Sequence, residues 1–314
     1  MQLSIVIPLY NEAESLPALH DWIVRVMDAH SFSYEIWFID DGSKDNSWEV
    51  ITALSTQNQA VSALRFQRNY GKSAALQVGF EAAQGEVVIT MDADLQDSPD
   101  EIPELFRMVT QEDLDVVSGW KKVRHDPISK TVPTKLYNWA ARRITGIHLH
   151  DFNCGLKAYK NEVVKSIELY GDMHRYIPAL AKYAGFHKIG EKVVVHRARQ
   201  FGVTKFGLDR FLNGPLDLMT VAFMGKFGKK PMHFFGAVGL FMFVLGFGLF
   251  AYMGIDKLLI HHTAERLSTR TDFYVALVAM VIGVQFFMAG FIAELIGRNS
   301  STRNHYLISG KISQ

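Results

Sequence analysis

The sequence predicts an α/β domain with a mostly parallel sheet, followed by surface helices and two transmembrane helices. Three observations carry this prediction. Short apolar runs rich in β-branched residues alternate with helix-length amphipathic segments through the first part of the chain. Three strand-like runs there end in polar, acid-rich clusters, the position at which open α/β sheets bind ligands. Two stretches near the carboxyl end, 231–254 and 273–293, contain no Asp, Glu, Lys or Arg. Each exceeds the roughly 20 residues needed to cross a bilayer. Two of them in one tail argue for membrane spans over buried core helices.

The elements follow in order. Residues 3–7 read as a strand and 15–29 as a helix. Residues 35–39 form a second strand that runs into Asp40-Asp41-Gly42-Ser43. Asp45 is placed to cap the next helix, which carries Trp48, Val50, Ile51 and Leu54. Residues 61–66 are a third strand, 73–83 a helix and 87–91 a fourth strand. Helices of this length between strands imply right-handed crossovers and a parallel sheet covered on both faces. A further helix is expected from about Pro99, and a short strand at 116–118. Residues 121–135 are basic and loop-like, 136–144 and 175–183 helical, and 192–196 an edge strand. Over 208–227, apolar residues at helical spacing mix with Arg210 and Lys226, as expected of helices on a membrane surface.

The expected organisation is a cytoplasmic catalytic domain at 1–210, juxtamembrane helices at 211–230, two spans at 231–296 and a tail at 297–314. With 33 Lys and Arg against 32 Asp and Glu, the overall charge does not point to nucleic acid. The first apolar run meets Pro8 at once and has no basic leader, so no secretory signal is expected. Lys226, Lys229 and Lys230 precede the first span, and Arg298, Arg303 and Lys311 follow the second. The loop between has Lys257, Arg266 and Arg270, so the positive-inside count ties. Orientation then rests on an untranslocated N-terminal domain, with both termini on the cytoplasmic side of the inner membrane. The single cysteine, Cys154, excludes an internal disulfide framework.

The chemistry concentrates at the strand ends. Asp92-Ala93-Asp94 follows the fourth strand directly. Side chains two apart on an extended segment share a face, so both acids can address one hard cation. Pro8-Leu9-Tyr10-Asn11-Glu12 and Asp40-Asp41-Gly42-Ser43 belong to the same sheet edge and can converge on one crevice. Carboxylates beside an aromatic ring suit a nucleotide whose phosphates are bridged by Mg2+ or Mn2+. Gly71-Lys72-Ser73 is no phosphate-binding P-loop, because Phe66 stands where that motif needs glycine. His148, His150 and Cys154 do not make a zinc site without further ligands.

These clusters, with Arg68-Asn69-Tyr70-Gly71-Lys72, Asp92 to Asp97, Asp151 to Lys157, the segment from His196 to Gly207 and the two spans, resemble one known group. They are similar to the family-two GT-A glycosyltransferases, in the polyprenyl-phosphate branch typified by dolichyl-phosphate-mannose synthases. The resemblance covers essentially the whole chain. It implies transfer of a hexose from a UDP- or GDP-linked donor to undecaprenyl or dolichyl phosphate, dependent on Mg2+ or Mn2+ and inverting at the anomeric carbon. It places Pro8, Tyr10 and Glu12 around the nucleoside, Asp41 on the base, and Arg68 and Lys72 near the donor. It gives Asp94 to the metal, Asp92 to the metal or ribose, and Gln96 to a further metal position. Asp151 becomes the acid near the reacting centre, while Cys154 stands where some relatives carry a carboxylate proposed as base. A phosphate monoester with a second pKa near 6 needs no such base at neutral pH. Arg197, Arg199 and Lys205 are placed to receive the lipid phosphate, with the loop of Lys121 and Arg124 closing from the other side. A patch that only attracts anionic lipid is the alternative. Two rival functions stay open: a processive polysaccharide synthase of the same fold, and a membrane-anchored nucleotide-binding scaffold without turnover. A homo-oligomer and a flippase partner are both compatible with two spans.

Overall fold

The computed structural model describes residues 1–122, 128–197, 210–228, 230–260 and 267–299. The chain divides into two compact units, Met1–Ala222 and Phe223–Gln314. In the first, β1 (Leu3–Leu9), β2 (Tyr34–Asp40), β3 (Val61–Arg65), β4 (Val87–Thr90), β5 (Val116–Trp120), β6 (Lys157–Lys160) and β7 (Ile189–Val193) form one sheet. Its order is β3-β2-β1-β4-β6-β5-β7. Every pairing is parallel except those of β6, which runs antiparallel to both β4 and β5. The expected mostly parallel sheet is therefore present, with one strand that the sequence pattern hid. Lys157-Ala158-Tyr159-Lys160 is too short and too polar at its ends to read as a buried run.

Alternation of side chains builds a core on each face. Leu3, Ile5, Ile7 and Leu9 of β1 join Val87 and Ile89 of β4 under α1 (Leu16–Ala29), α2 (Ser47–Gln57) and α4 (Ile102–Thr110). Val6 and Val88 point the other way, toward α3 (Lys72–Ala82), α5 (Ile128–Thr145), α6 (Asn161–Ser166), α7 (Ile177–Ala184) and the first part of α8 (Arg210–Phe227). On α1, Leu16, Leu19, Ile23, Val26 and Met27 follow the helical period and are all buried. Burying one such side chain contributes roughly 1.5–3 kcal/mol. Gly79 lets α3 lie directly on β1, because a Cβ there would sit 2.3 Å from Val6 Cγ1.

The order in which strands are added reverses between β1 and β4, which stay parallel, and open α/β sheets bind ligands at the carboxyl ends of such a switch point. Pro8 marks where the two strands part. Pairing of β1 with β4 ends at Val6–Thr90, and the Val6 carbonyl accepts from Met91 N at 3.3 Å. Two residues on, Pro8 faces the same side, where β4 has already turned away and no ladder donor is needed.

Several local expectations are corrected. Asp45 lies one residue before the N-cap of α2, which is Asn46, and it bonds Ser47 and Ala13 instead. The stretch expected as loop to residue 135 is helical from Ile128, so α5 absorbs most of it. Where several helices are expected over 208–227, the described residues, from Arg210 on, hold one helix, α8.

In the second unit α9 (Pro231–Ile255) and α10 (Thr271–Asn299) are long and apolar enough to cross a membrane. They pack closely along a glycine seam. A Cβ on Gly239 would lie 2.6 Å from the Gly283 carbonyl oxygen, and one on Gly283 2.7 Å from that of Gly239. Small residues permit such backbone approach between helices in lipid. Most of the outward side chains, including Phe241, Val244, Phe247, Val278 and Phe291, are exposed and apolar.

Candidate active site

Three loops leave the carboxyl ends of β1, β2 and β4, and the first two are stitched to each other. After β1, Asn11 takes a left-handed turn (φ 53°). Its backbone N–H donates to Ser43 Oγ at 2.9 Å, and its Oδ1 accepts from Lys44 N at 2.7 Å. Glu12 N donates to Ser47 Oγ at 3.0 Å. Tyr10 and Glu12 are thus carried on a loop tied to the end of β2, partly exposed toward solvent. The loop after β4 contains Leu95 in a left-handed conformation, φ 59°, although leucine disfavours it. Asp94 stabilises that turn by accepting Gln96 N at 3.2 Å. Strain of this kind persists where surrounding contacts over-determine the backbone.

Those contacts come from two directions. The segment after β7 returns to the loop, where His196 bridges Asp97 and Arg197 N donates to the Gln96 carbonyl at 3.0 Å. From below, the segment Asp151 to Lys157 presses against Asp92. Thr90 Oγ1 donates to the Gly155 carbonyl at 2.9 Å, and a Cβ on Gly155 would lie 2.5 Å from Asp92 Oδ2. Lys157, 3% exposed at the start of β6, donates to the Cys154 carbonyl and holds that turn closed. Burial pushes the Lys157 ammonium below its usual range.

Asp92 and Asp94 both lie at the end of β4, as the spacing predicts, but their surroundings differ. Asp92 is paired with Lys72, the first residue of α3. Burial would raise the Asp92 carboxyl, but the Lys72 and Lys121 ammonium groups outweigh it and hold the acid well below the carboxylate range. Asp94 is 6% exposed. Among the described residues no three His, Cys, Asp or Glu gather into a complete cation cage. Two hard carboxylates nonetheless fit Mg2+ or Mn2+, which complete their shells with substrate phosphates and water.

Other expected site residues take different places. Asp41 was expected on the base, yet both its oxygens accept backbone donors, Tyr70 N at 2.6 Å and Gly71 N at 2.9 Å. It staples the 68–71 loop to β2, and burial, against those hydrogen bonds, raises its carboxyl. Arg68 is exposed, with its guanidinium 4.7 Å over the Tyr70 ring. Gly42 (φ 71°) fits against it, since a Cβ would come within 2.5 Å of the Arg68 carbonyl carbon. Asp151 departs from the expected acid at the reacting centre. It is 1% exposed, and its Oδ1 accepts Asn153 N at 3.0 Å in a local turn.

Lys121 is turned inward. Its ammonium lies 2.7 Å from Asp97 Oδ1, and Asp97 is completely buried. An ammonium so placed balances an internal charge under the loop. Arg197 carries a guanidinium expected to receive the lipid phosphate. The group stacks 4.2 Å over Trp22 of α1, whose Nε1 donates to Asp100 at 2.9 Å. Arg124, Arg199 and Lys205 lie outside the described residues.

Sequence reasoning missed three supporting groups. His174 approaches from the 310 turn before α7, its Nδ1 3.0 Å from Ser73 Oγ beside Lys72. Burial and the Lys72 charge drive its pKa well down, so the ring is neutral. Glu191 on β7 accepts His150 N at 2.7 Å and Asp151 N at 3.1 Å, fixing the start of the segment under Asp92. Asp97 is the third. None had a spacing signal, because their partners are brought near only by the fold.

Comparison with known proteins agrees with this geometry. Residues 4–168 match the family described as glycosyl transferase family 2. The dodecaprenyl-phosphate galacturonate synthase of Rhizobium johnstonii is 35% identical over 303 residues, covering 95% of this chain and 88% of that protein. An undecaprenyl-phosphate 4-deoxy-4-formamido-L-arabinose transferase of Yersinia pestis is 35% identical over 299 residues, with the same coverage of 95% and 88%. Among solved structures, glucosyl-3-phosphoglycerate synthase of Mycobacterium tuberculosis with UDP superposes with TM-score 0.55. That match has 18% identity and covers 71% of this chain and 79% of the other. The same enzyme has been crystallised with Mn2+, UDP-glucose and phosphoglyceric acid (TM-score 0.51). A GT-A sheet with its acidic strand ends at the switch point, and full-length kinship to two lipid-phosphate sugar transferases, make this chain a member of glycosyltransferase family 2 in its polyprenyl-phosphate branch.

Proposed function

We propose that this glycosyltransferase moves one sugar from a nucleotide-sugar held in the β1/β4 crevice to a polyprenyl phosphate at the cytoplasmic face of the membrane. The observation that carries the reading is the convergence of the Tyr10–Glu12, Asp41–Ser43 and Asp92–Asp94 loops at that switch point. In it, Tyr10 and Glu12 border the nucleoside, Asp41 shapes the wall through the 68–71 loop, and Arg68 and Lys72 face the diphosphate. Asp94, with Asp92 and Gln96, would hold a divalent cation, which neutralises the diphosphate as it leaves. The described residues then have mainly to position and to exclude water.

An acceptor phosphate is largely ionised at neutral pH, so its oxygen can attack the anomeric carbon directly. The bond to the nucleoside diphosphate breaks on the opposite side, and configuration inverts. Buried Asp151 is not needed as a base in this displacement; its turn supports Asp92. The basic segment carrying Arg199 and Lys205 begins at Arg197, which is held on the Gln96 backbone beside Asp94. That attachment supports the reading that it receives the lipid phosphate. α9 and α10 supply the membrane anchor that a lipid-borne acceptor requires.

Purified full-length protein, given undecaprenyl phosphate and a panel of UDP- and GDP-sugars with Mg2+ or Mn2+, tests the reading. One donor should yield an alkali-stable lipid-linked monosaccharide and free nucleoside diphosphate in equal amounts. Donor hydrolysis without lipid product, or polymer formation, would overturn it.

A further inference from the structure

Lys72 and Asp92 form a charge pair at the end of β4; their side chains are exposed to the same degree, 32% and 35%, and the lysine is the partner with the longer reach. The Asp92 carboxylate is confined on one side by the Gly155 backbone, which leaves no room for a Cβ. It is held on the other by Lys72 Nζ. The root of Lys72 is fixed as well, because Tyr70 N and Gly71 N, immediately before it, are bonded to Asp41. What remains free is the lysine stem. It has four rotatable carbons and a third of its side chain is exposed.

A divalent cation on Asp92 and Asp94 would meet the Lys72 ammonium at the same carboxylate. Two cations on one carboxylate repel strongly in a partly buried site. A donor diphosphate arriving with the metal brings anionic oxygens within the reach of a long cationic side chain. We propose that Lys72 is a placeholder cation: it neutralises Asp92 while the site is empty and moves onto the donor diphosphate when metal and nucleotide bind together. The device rests on the donor-site reading above. Its consequence is that metal binds weakly alone and tightly with nucleotide, so neither occupies the site unproductively.

The proposal predicts opposite effects from one substitution. Mn2+ binding by the full chain in detergent, read from the EPR signal of free Mn2+, is measured with and without UDP or GDP. UDP or GDP binding is measured in parallel at saturating Mn2+. Without nucleotide, Lys72→Met should bind Mn2+ about tenfold more tightly than wild type, the size expected for losing one charge-assisted competitor. With Mn2+ present, the same variant should bind nucleotide about tenfold more weakly. Lys72→Gln, which keeps a hydrogen-bond donor without the charge, should behave like Lys72→Met and guards against a packing defect in that variant. Arg25→Gln removes an exposed positive charge on α1 and should leave Mn2+ affinity unchanged. If Lys72→Met and Lys72→Gln leave metal affinity the same or weaken it, the placeholder idea is wrong while the donor site stands. If wild type binds no Mn2+ even with nucleotide, both fall.

Discussion

Asp94 carries the sharpest expectation at the scale of single residues. It shapes the Leu95 turn through Gln96 N and presents the second hard oxygen donor, so removing it should remove the metal without unfolding the domain. Asp94→Ala is expected to lower turnover roughly a hundredfold or more, with thermal midpoint and membrane insertion nearly unchanged. Metal-dependent transfer at near wild-type rate would refute the assignment. Cys154 gives a pH test. It is 1% exposed, and burial, reinforced by Asp97, pushes its thiol up to about 12. Because the thiolate is the reactive form and the group is buried, native protein should react with maleimide far more slowly than denatured protein at every pH from 7 to 9. Full labelling should appear only in denaturant. Fast native labelling at pH 7 would show an open loop. At this scale the sequence marked the acids at the strand ends but not their partners. Asp41 reads as a ligand contact, yet its oxygens hold backbone groups 29 and 30 residues away.

At the scale of elements, the site is a strand end supported by a turn from another strand. The Asp151–Lys157 segment and β6 enter the sheet against its general direction and place Gly155 under Asp92. Gly155→Ala should therefore act on Asp92 and not on the core, since the atoms a Cβ would meet are those of the Asp92 carboxylate. We expect a stability change within about 1 kcal/mol and a loss of nucleotide-stimulated Mn2+ binding, measured by thermal unfolding and EPR. Unaltered metal binding would show that Asp92 tolerates displacement. The strands β1 to β4 and helices α1 to α3 are legible in sequence because each obeys one period against one core. β6 is not, since a four-residue strand between two neighbours takes its identity from them.

For the whole molecule, chemistry at the sheet edge must meet a substrate that lives in a bilayer. The hairpin of α9 and α10 is the anchor, and its glycine seam leaves the outward apolar side chains for lipid. The orientation expected from the sequence, with both ends cytoplasmic, predicts that a reporter fused after Gln314 is active inside the cell and one inserted near His262 outside. A C-terminal reporter found outside would mean that only one helix crosses.

Local pattern alone determined the fold class, the two apolar helices and the acids at the strand ends. Those properties depend on residue period, segment length and the chemistry of neighbours in sequence. Tertiary structure decided the electrostatics. Lys72 and Asp92 lie 20 residues apart in the chain, and Lys121 reaches Asp97 from a different strand. The energy of a charge depends on what surrounds it in space and on how much water is excluded there. A sequence shows which charges are present; only the packed sheet shows that one lysine pairs with a buried aspartate and the other with the aspartate at the end of β4.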